Sequence, residues 1–94
     1  MGRQNKSEWD DFIGCQVVID TNSPYIYLGT LAAVDEFFIT LKEVDVHDQK
    51  EGATTKEIYI LDAKKSGIKI NRHQAIVRKD IIVSFSKLED VVEY

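Results

Sequence analysis

The sequence predicts a small, mainly β domain. Strand-like runs at residues 15–21 and 25–34 alternate in side-chain character and are rich in β-branched and aromatic residues. A turn signal at residues 22–24 separates them, and a third run follows the acidic pair Asp35-Glu36 at residues 37–47. Gly29 stands near the middle of the long second run, where it predicts a sharp bend in the strand.

A short helix is predicted before the first strand. Ser7 is a suitable N-terminal cap, and Gly14 follows where a C-terminal cap is expected. Three apolar side chains between them share one helical face: Trp9, Phe12 and Ile13. Two turns are too few for stability in water, so this helix must pack on the sheet or on a neighbouring subunit.

The segment after the third strand has two interpretations. Residues 48–54 form a polar loop; Thr54 and Glu57 then have capping-box spacing, and Gly67 can end a helix. The alternation over residues 57–61 also suits a strand, but we favour a helix over residues 55–66.

The end of the chain returns to β structure. A turn is predicted at residues 71–74. Residues 75–77 and 81–85 then make one or two final strands, and residues 87–92 a short edge or tail. The side chains expected in the core are Trp9, Phe12, Val17, Ile19, Ile26, Leu28, Leu31, Val34, Phe38, Leu41, Val77, Ile82 and Val83.

Bulk composition narrows the class of protein. Ninety-four residues make one domain, residues 1–94, with residues 1–6 as a loose tail. No apolar run reaches the roughly 20 residues that span a bilayer, and the polar N-terminus is not a secretory signal. The single cysteine, Cys15, cannot form an internal disulfide and is expected to be a small buried hydrophobe. A cytoplasmic location is therefore the expectation. No cofactor and no membrane partner are expected.

Charge is unevenly distributed along the chain, whose net charge is −4. Residues 35–51 contain six acidic residues and two lysines, whereas residues 64–79 contain six Lys or Arg and no acid. The basic run is the best nucleic-acid footprint in the chain, and a solvated helix face followed by a turn is its alternative explanation.

Two motifs in this order resemble those of the Sm and Sm-like (LSm) RNA-associated proteins, as in a divergent member of bacterial or phage type. The first motif is matched by Gly14, Val17, Ile19, Gly29, Leu31, Val34, Asp35 and Phe38. The second resembles residues 77–83, with Lys79 where the family has glycine. Residues 49–74 have no counterpart in a minimal Sm domain and are interpreted as an insertion.

The resemblance implies a fold and an assembly. Sm-like subunits have a short N-terminal helix and a strongly bent, five-stranded antiparallel small barrel. Their fourth and fifth strands pair between neighbours, so a homo-oligomeric ring of about five to seven copies is expected, with single-stranded RNA as the further partner.

The resemblance also implies an RNA site. The positions carried over are Asp35, Phe37, Thr40, Arg78 and Lys79. Ile39 or Thr40 stands where the family's base-clamping asparagine belongs, which puts hydrogen bonding to a base in doubt. The alternative is structural: Asp35 caps the turn, Phe37 and Phe38 fill the core, and Arg78 pairs with Asp35.

Other chemistry is weakly indicated. Asp45 and His47 share a strand face and permit a metal site, but a solvated strand end is the preferred interpretation. Tyr25 and Tyr27 form either a stacking platform or a packing pair.

No catalytic motif is present, so we expect a protein that is not an enzyme. The functions considered are an RNA-binding or RNA-associated ring, a ring for protein assembly alone and, least favoured, a monomeric peptide-binding barrel.

Overall fold

The computed structural model describes residues 7–50 and 54–93, so the tail predicted at residues 1–6 and part of the polar loop lie outside it. Five strands and one α-helix form the domain: β1 (Gln16–Thr21), β2 (Tyr25–Val34), β3 (Phe38–Asp48), α1 (Lys56–Ser66), β4 (Arg72–Arg78) and β5 (Ile82–Lys87). Single 3₁₀ turns lie at Asp10–Phe12, Lys79–Ile81 and Leu88–Asp90.

All five strands belong to one antiparallel sheet in the order β4-β3-β2-β1-β5. The mainly β fold is therefore confirmed. Because β4 and β5 each have one neighbour within the chain, they are the two edges of the sheet. The predicted bounds of β2 match the structure, and those of β1 and β3 differ by one residue at their ends.

Gly29 lies at an irregularity in the pairing of β2 with β3. Leu28 pairs with Asp45 and Thr30 with Lys42, so Gly29 faces two residues of β3, of which Glu43 has a φ of 51°. A Cβ atom on Gly29 would lie 3.1 Å from the carbonyl oxygen of Lys42, closer than a relaxed contact. Glycine therefore permits the close approach, and bulges of this kind increase the local twist of a strand.

The first face of the sheet carries the larger core cluster and is covered by the N-terminal segment. The Trp9 ring stacks on Phe85 with 3.7 Å between centroids, and Phe12 meets Phe85 edge-on at 5.0 Å. The buried members of this cluster are Trp9, Val17, Ile19, Leu31, Ile39, Leu41, Val44 and Val77. Cys15 is half-buried and packs against the same cluster, as a small hydrophobe would.

The predicted two-turn helix is a single 3₁₀ turn, Asp10–Phe12, which corrects the sequence prediction. The backbone becomes extended at Ile13, and Gly14 follows with a φ of 89°, so the turn cannot continue as a helix. Ser7 still acts before the turn, because its hydroxyl accepts a 3.2 Å hydrogen bond from the backbone N–H of Trp9.

The opposite face of the sheet packs against α1. Its cluster of buried side chains contains Val18, Ile26, Leu28, Ile60, Ala63 and Leu88. Residues 57–61 lie in the helix and not in a sheet ladder, so the helical interpretation of this segment is confirmed. Since the N-terminal segment covers one face and α1 the other, β1 and β2 are buried from both sides.

The ends of α1 have identifiable caps. The side chain of Thr55, and not the predicted Thr54, accepts the 3.3 Å hydrogen bond from the Ile58 N–H. Gly67 ends the helix with a φ of 95° and donates to the Ala63 carbonyl at 2.8 Å. The predicted capping box of Thr54 with Glu57 is therefore wrong: the cap lies one residue later, where Ile58 and not an acidic residue occupies the third position of the helix.

The turn predicted at residues 71–74 is wrong, since β4 already begins at Arg72. Gln74 pairs with Lys42 and Arg72 with Val44. An edge strand forms its ladder through backbone groups alone, and the polar side chains that suggested a turn stay exposed.

Two predicted core residues are exposed: Phe38 by 41% and Val83 by 67%. Ile39 and Leu41 occupy the inward positions of β3, so their neighbour Phe38 points to the other face. Val83 lies in an irregularity of β5, between Ile82, which pairs with Thr21, and Ser84, which pairs with Asp20. Phe12, Val34 and Ile82 are half-buried, and the other eight predicted core residues are buried.

Replacing Leu31 by alanine tests the core register. Leu31 is fully buried, so Leu31→Ala should lower the free energy of unfolding by about 2–5 kcal/mol. Urea denaturation at fixed protein concentration measures the loss, with Val92→Ala, at a site 66% exposed, as the control. A loss for Leu31→Ala below about 1 kcal/mol would contradict its burial.

The two threonines before α1 give a matched pair of variants. Thr55→Ala should lower the free energy of unfolding by roughly 0.5–2 kcal/mol, because it removes the hydrogen bond to the Ile58 N–H. Thr54→Ala should change it much less. Equal losses in the two variants, measured by thermal denaturation, would refute the assignment of the cap.

Candidate nucleic-acid interface

An open groove forms where the turn between β2 and β3 meets the 3₁₀ turn between β4 and β5. The Lys79 N–H donates to the Phe37 carbonyl at 2.8 Å, and Phe38 pairs with Arg78 across β3 and β4. The groove has a volume of about 580 Å³ and is lined by Glu36, Phe37, Phe38, Arg78, Lys79 and Asp80. Two segments that are distant in sequence therefore meet in one place.

Two aromatic rings of the groove are left to solvent. Phe37 is 65% exposed and Phe38 is 41% exposed, so the interpretation that both fill the core is wrong. Exposed rings of this kind have free faces on which bases can stack with little preference for sequence.

Asp35 shapes the turn that carries these rings. Its carboxylate accepts the backbone N–H of Phe38 at 2.8 Å and that of Phe37 at 2.9 Å. Those two hydrogen bonds hold the pKa of Asp35 below its ordinary value, because they favour the charged form. The structural alternative for Asp35, a cap on the turn, is therefore confirmed.

The two cations of the groove differ in their contacts. Arg78 donates to the Asp80 carboxylate at 2.5 Å, with both side chains exposed, so the predicted pair with Asp35 is replaced by a pair with Asp80. The Lys79 ammonium forms no hydrogen bond or close ion pair with any residue that the structure describes, but its charge contributes to the lowered pKa of Asp35. Lys79 can therefore contact a ligand without breaking a hydrogen bond, whereas Arg78 must share its donors with Asp80.

Thr40 does not reach the groove. It lies within β3, half-buried, opposite Ala33 on one side and Ile76 on the other. Of the five residues that the sequence suggested, Phe37, Arg78 and Lys79 line the groove and Asp35 supports it. Three lining residues were missed: Glu36, Phe38 and Asp80.

The rest of the basic run is dispersed. Lys64 donates to the Val91 carbonyl, Lys65 pairs with Glu93 at 3.0 Å, and His73 lies 3.5 Å from Glu43. Only Arg78 and Lys79 of the run line the groove, where Glu36 and Asp80 balance their charge. The groove itself has no net charge, so it lacks the concentrated positive charge that the basic run of residues 64–79 suggested.

Asp45 and His47 take part in a different arrangement. Asp45 is 3% exposed and accepts hydrogen bonds from the Tyr59 hydroxyl and, at 3.1 Å, from the Asn71 amide. The His47 ring stacks on Tyr59 with 3.6 Å between centroids. Burial, together with the Asp45 carboxylate, raises the pKa of Tyr59 well above its usual range.

These contacts attach α1 to β3, and they account for the polar residues that suggested a metal site. No group of three or more potential metal ligands occurs within residues 7–50 and 54–93. Tyr27 is half-buried against the first core cluster and Tyr25 is 43% exposed, so only Tyr25 offers an open ring on that part of β2.

In the part of the chain that the structure describes, no helix has the length and apolar character needed to cross a membrane. A search with protein-family models finds no match to this chain, and a search of curated proteins finds none either.

Proposed function

We propose that this chain is the subunit of an Sm-like ring that binds single-stranded RNA. The observation that carries the proposal is the groove in which the exposed ring of Phe37 lies beside Arg78 and Lys79. A flat apolar face for stacking and cations for phosphate are the two features that nonspecific single-strand binding requires. The motifs at residues 14–38 and 77–83 add the family resemblance.

The edges of the sheet support the assembly part of the proposal. β4 and β5 have one free side each within the chain, and each carries an exposed apolar residue, Ile76 at 60% and Val83 at 67%. Unpaired edge strands with apolar side chains promote association. Pairing β4 of one subunit with β5 of the next would cover both edges, and a closed ring satisfies every subunit equally.

The fold is compatible with a strongly bent small barrel. The bulge at Gly29 lies in the strand where such a barrel needs its bend, and the N-terminal segment precedes β1 as in Sm-like proteins. Two departures concern the site and not the fold: Lys79 replaces a glycine, and no asparagine follows Asp35 at the base-clamping position.

A ring used only for protein assembly is the second candidate. The balanced charge of the groove and the dispersal of Lys64, Lys65 and His73 favour it, since RNA binding gains most from concentrated positive charge. In that case the exposed Phe37 and Phe38 would contact protein partners.

The assembly is tested by mass. Size-exclusion chromatography with light scattering should give about five to seven times the mass of one chain. Val83→Asp should shift the protein toward smaller species, because it places a charge on an edge strand that would pair with a neighbour. Val92→Asp, at an equally exposed position after β5, should leave the mass unchanged. A wild-type monomer at micromolar concentration would exclude the ring.

RNA binding is tested by fluorescence anisotropy with oligo-uridine and oligo-adenine at low and moderate salt. We expect binding that weakens as salt rises, because phosphate contacts release counterions. The double variant Arg78→Ala, Lys79→Ala should abolish binding and keep the wild-type mass. The control, Lys64→Ala with Lys65→Ala, makes the same change of charge away from the groove. If the wild-type protein binds neither RNA at low salt, protein assembly is the better proposal.

A further inference from the structure

Glu36 is the unassigned group of the groove. It lines the groove beside Phe37, is exposed, and forms no hydrogen bond or ion pair within residues 7–50 and 54–93. The two neighbouring carboxylates are engaged: Asp35 accepts two backbone N–H groups and Asp80 accepts from Arg78. Glu36 is thus the carboxylate available to a ligand at this place.

An ionised carboxylate offers hydrogen-bond acceptors and no donor. Among the four standard RNA bases, guanine alone presents two adjacent donors on its Watson–Crick edge, the N1–H and the N2 amino group. Uracil presents a single N–H flanked by two carbonyl oxygens, which a carboxylate repels. The chemistry of Glu36 therefore discriminates in favour of guanine and against uracil.

We propose that the groove prefers a guanine base, which stacks on Phe37 and donates its N1–H and N2 amino hydrogens to the Glu36 carboxylate. This inference rests on the proposed RNA binding and names the base that the groove selects. Glu36 and Phe37 are adjacent in the chain and both line the groove, so a base lying on the ring can direct an edge toward the carboxylate. Lys79 lines the same groove, and its ammonium contacts the phosphate.

The balanced charge of the groove fits this assignment. Two carboxylates among the lining residues reduce the general attraction for phosphate, so they are costly for a site that binds RNA without regard to sequence. Asp80 offsets that cost by orienting Arg78. Glu36 offsets the reduced attraction for phosphate through base recognition, because its carboxylate has no partner in the groove and can accept hydrogen bonds from a base.

The test uses fluorescently labelled heptauridine and variants whose central base is guanine, hypoxanthine or adenine. Hypoxanthine keeps the N1–H of guanine and lacks the N2 amino group. The wild-type protein should bind the guanine oligomer at least about fivefold more tightly than heptauridine, the lower end for a bidentate base contact. The hypoxanthine oligomer should lose most of that gain, and adenine should show none.

Glu36→Gln separates base recognition from simple repulsion. If Glu36 only repels RNA, the variant binds all four oligomers more tightly by the same factor. Under the proposal the variant loses the guanine preference, while heptauridine binding stays equal or improves. Glu89→Gln is the matched control, because it removes an exposed carboxylate that does not line the groove.

The outcomes distinguish the two levels of the proposal. Binding of every oligomer with equal affinity would overturn the guanine preference and leave RNA binding standing. Absence of binding to all four oligomers would overturn RNA binding itself and the guanine preference with it. A guanine preference that survives Glu36→Gln would overturn the role of Glu36.

Discussion

The close approach of β2 and β3 at Gly29 is the constraint on which the rest of the structure depends. Because Gly29 has no side chain, the Lys42 carbonyl can approach closely, and the two longest strands stay paired through the bulge. Beyond the bulge, β2 and β3 continue to the turn capped by Asp35. On the other side of the bulge, Leu28 and Asp45 face α1. Gly29 therefore lies between the groove at one end of β2 and β3 and the part of the sheet that α1 covers.

The sheet is covered on both faces, and apolar packing contributes to each cover. The N-terminal segment is attached by stacking of Trp9 on Phe85 and by the backbone hydrogen bond from the Gly14 N–H to the Leu31 carbonyl at 2.8 Å. Helix α1 adds to its apolar contacts a buried carboxylate, since Asp45 accepts from the Tyr59 hydroxyl of the helix. The buried polar contact specifies one position of the helix more strictly than apolar packing does.

Much of the fold could be predicted from the sequence, because strand and helix signals are local. The β-branched and aromatic residues of β2 predicted its bounds. The spacing from a threonine cap to Gly67 favoured the helix α1, although the cap is Thr55 and not Thr54. The predicted burial of Phe38 and Val83 was wrong. Burial depends on the register of a strand against its neighbours, and the alternation within one strand does not determine that register. The turn predicted at residues 71–74 failed because edge strands tolerate polar side chains.

The candidate site was predictable only in part. Phe37, Arg78 and Lys79 were found through a family resemblance. Glu36 and Asp80 were missed because acidic residues were counted against RNA binding as net charge. Thr40 lies on the same side of β3 as Phe38, but two residues farther along the strand between Ala33 and Ile76, so it does not reach the groove. What the sequence lacks in each case is the arrangement of side chains around a shared space.

The two unlike edges of the sheet give each subunit a direction. Joining β4 to β5 leaves one free β4 and one free β5 however many chains have been added, so growth cannot be ended by the chemistry of the edges. It ends only when the last subunit meets the first. Under the proposed assembly, the number of copies is therefore determined by the angle that each subunit adds, and the twist near Gly29 contributes to that angle.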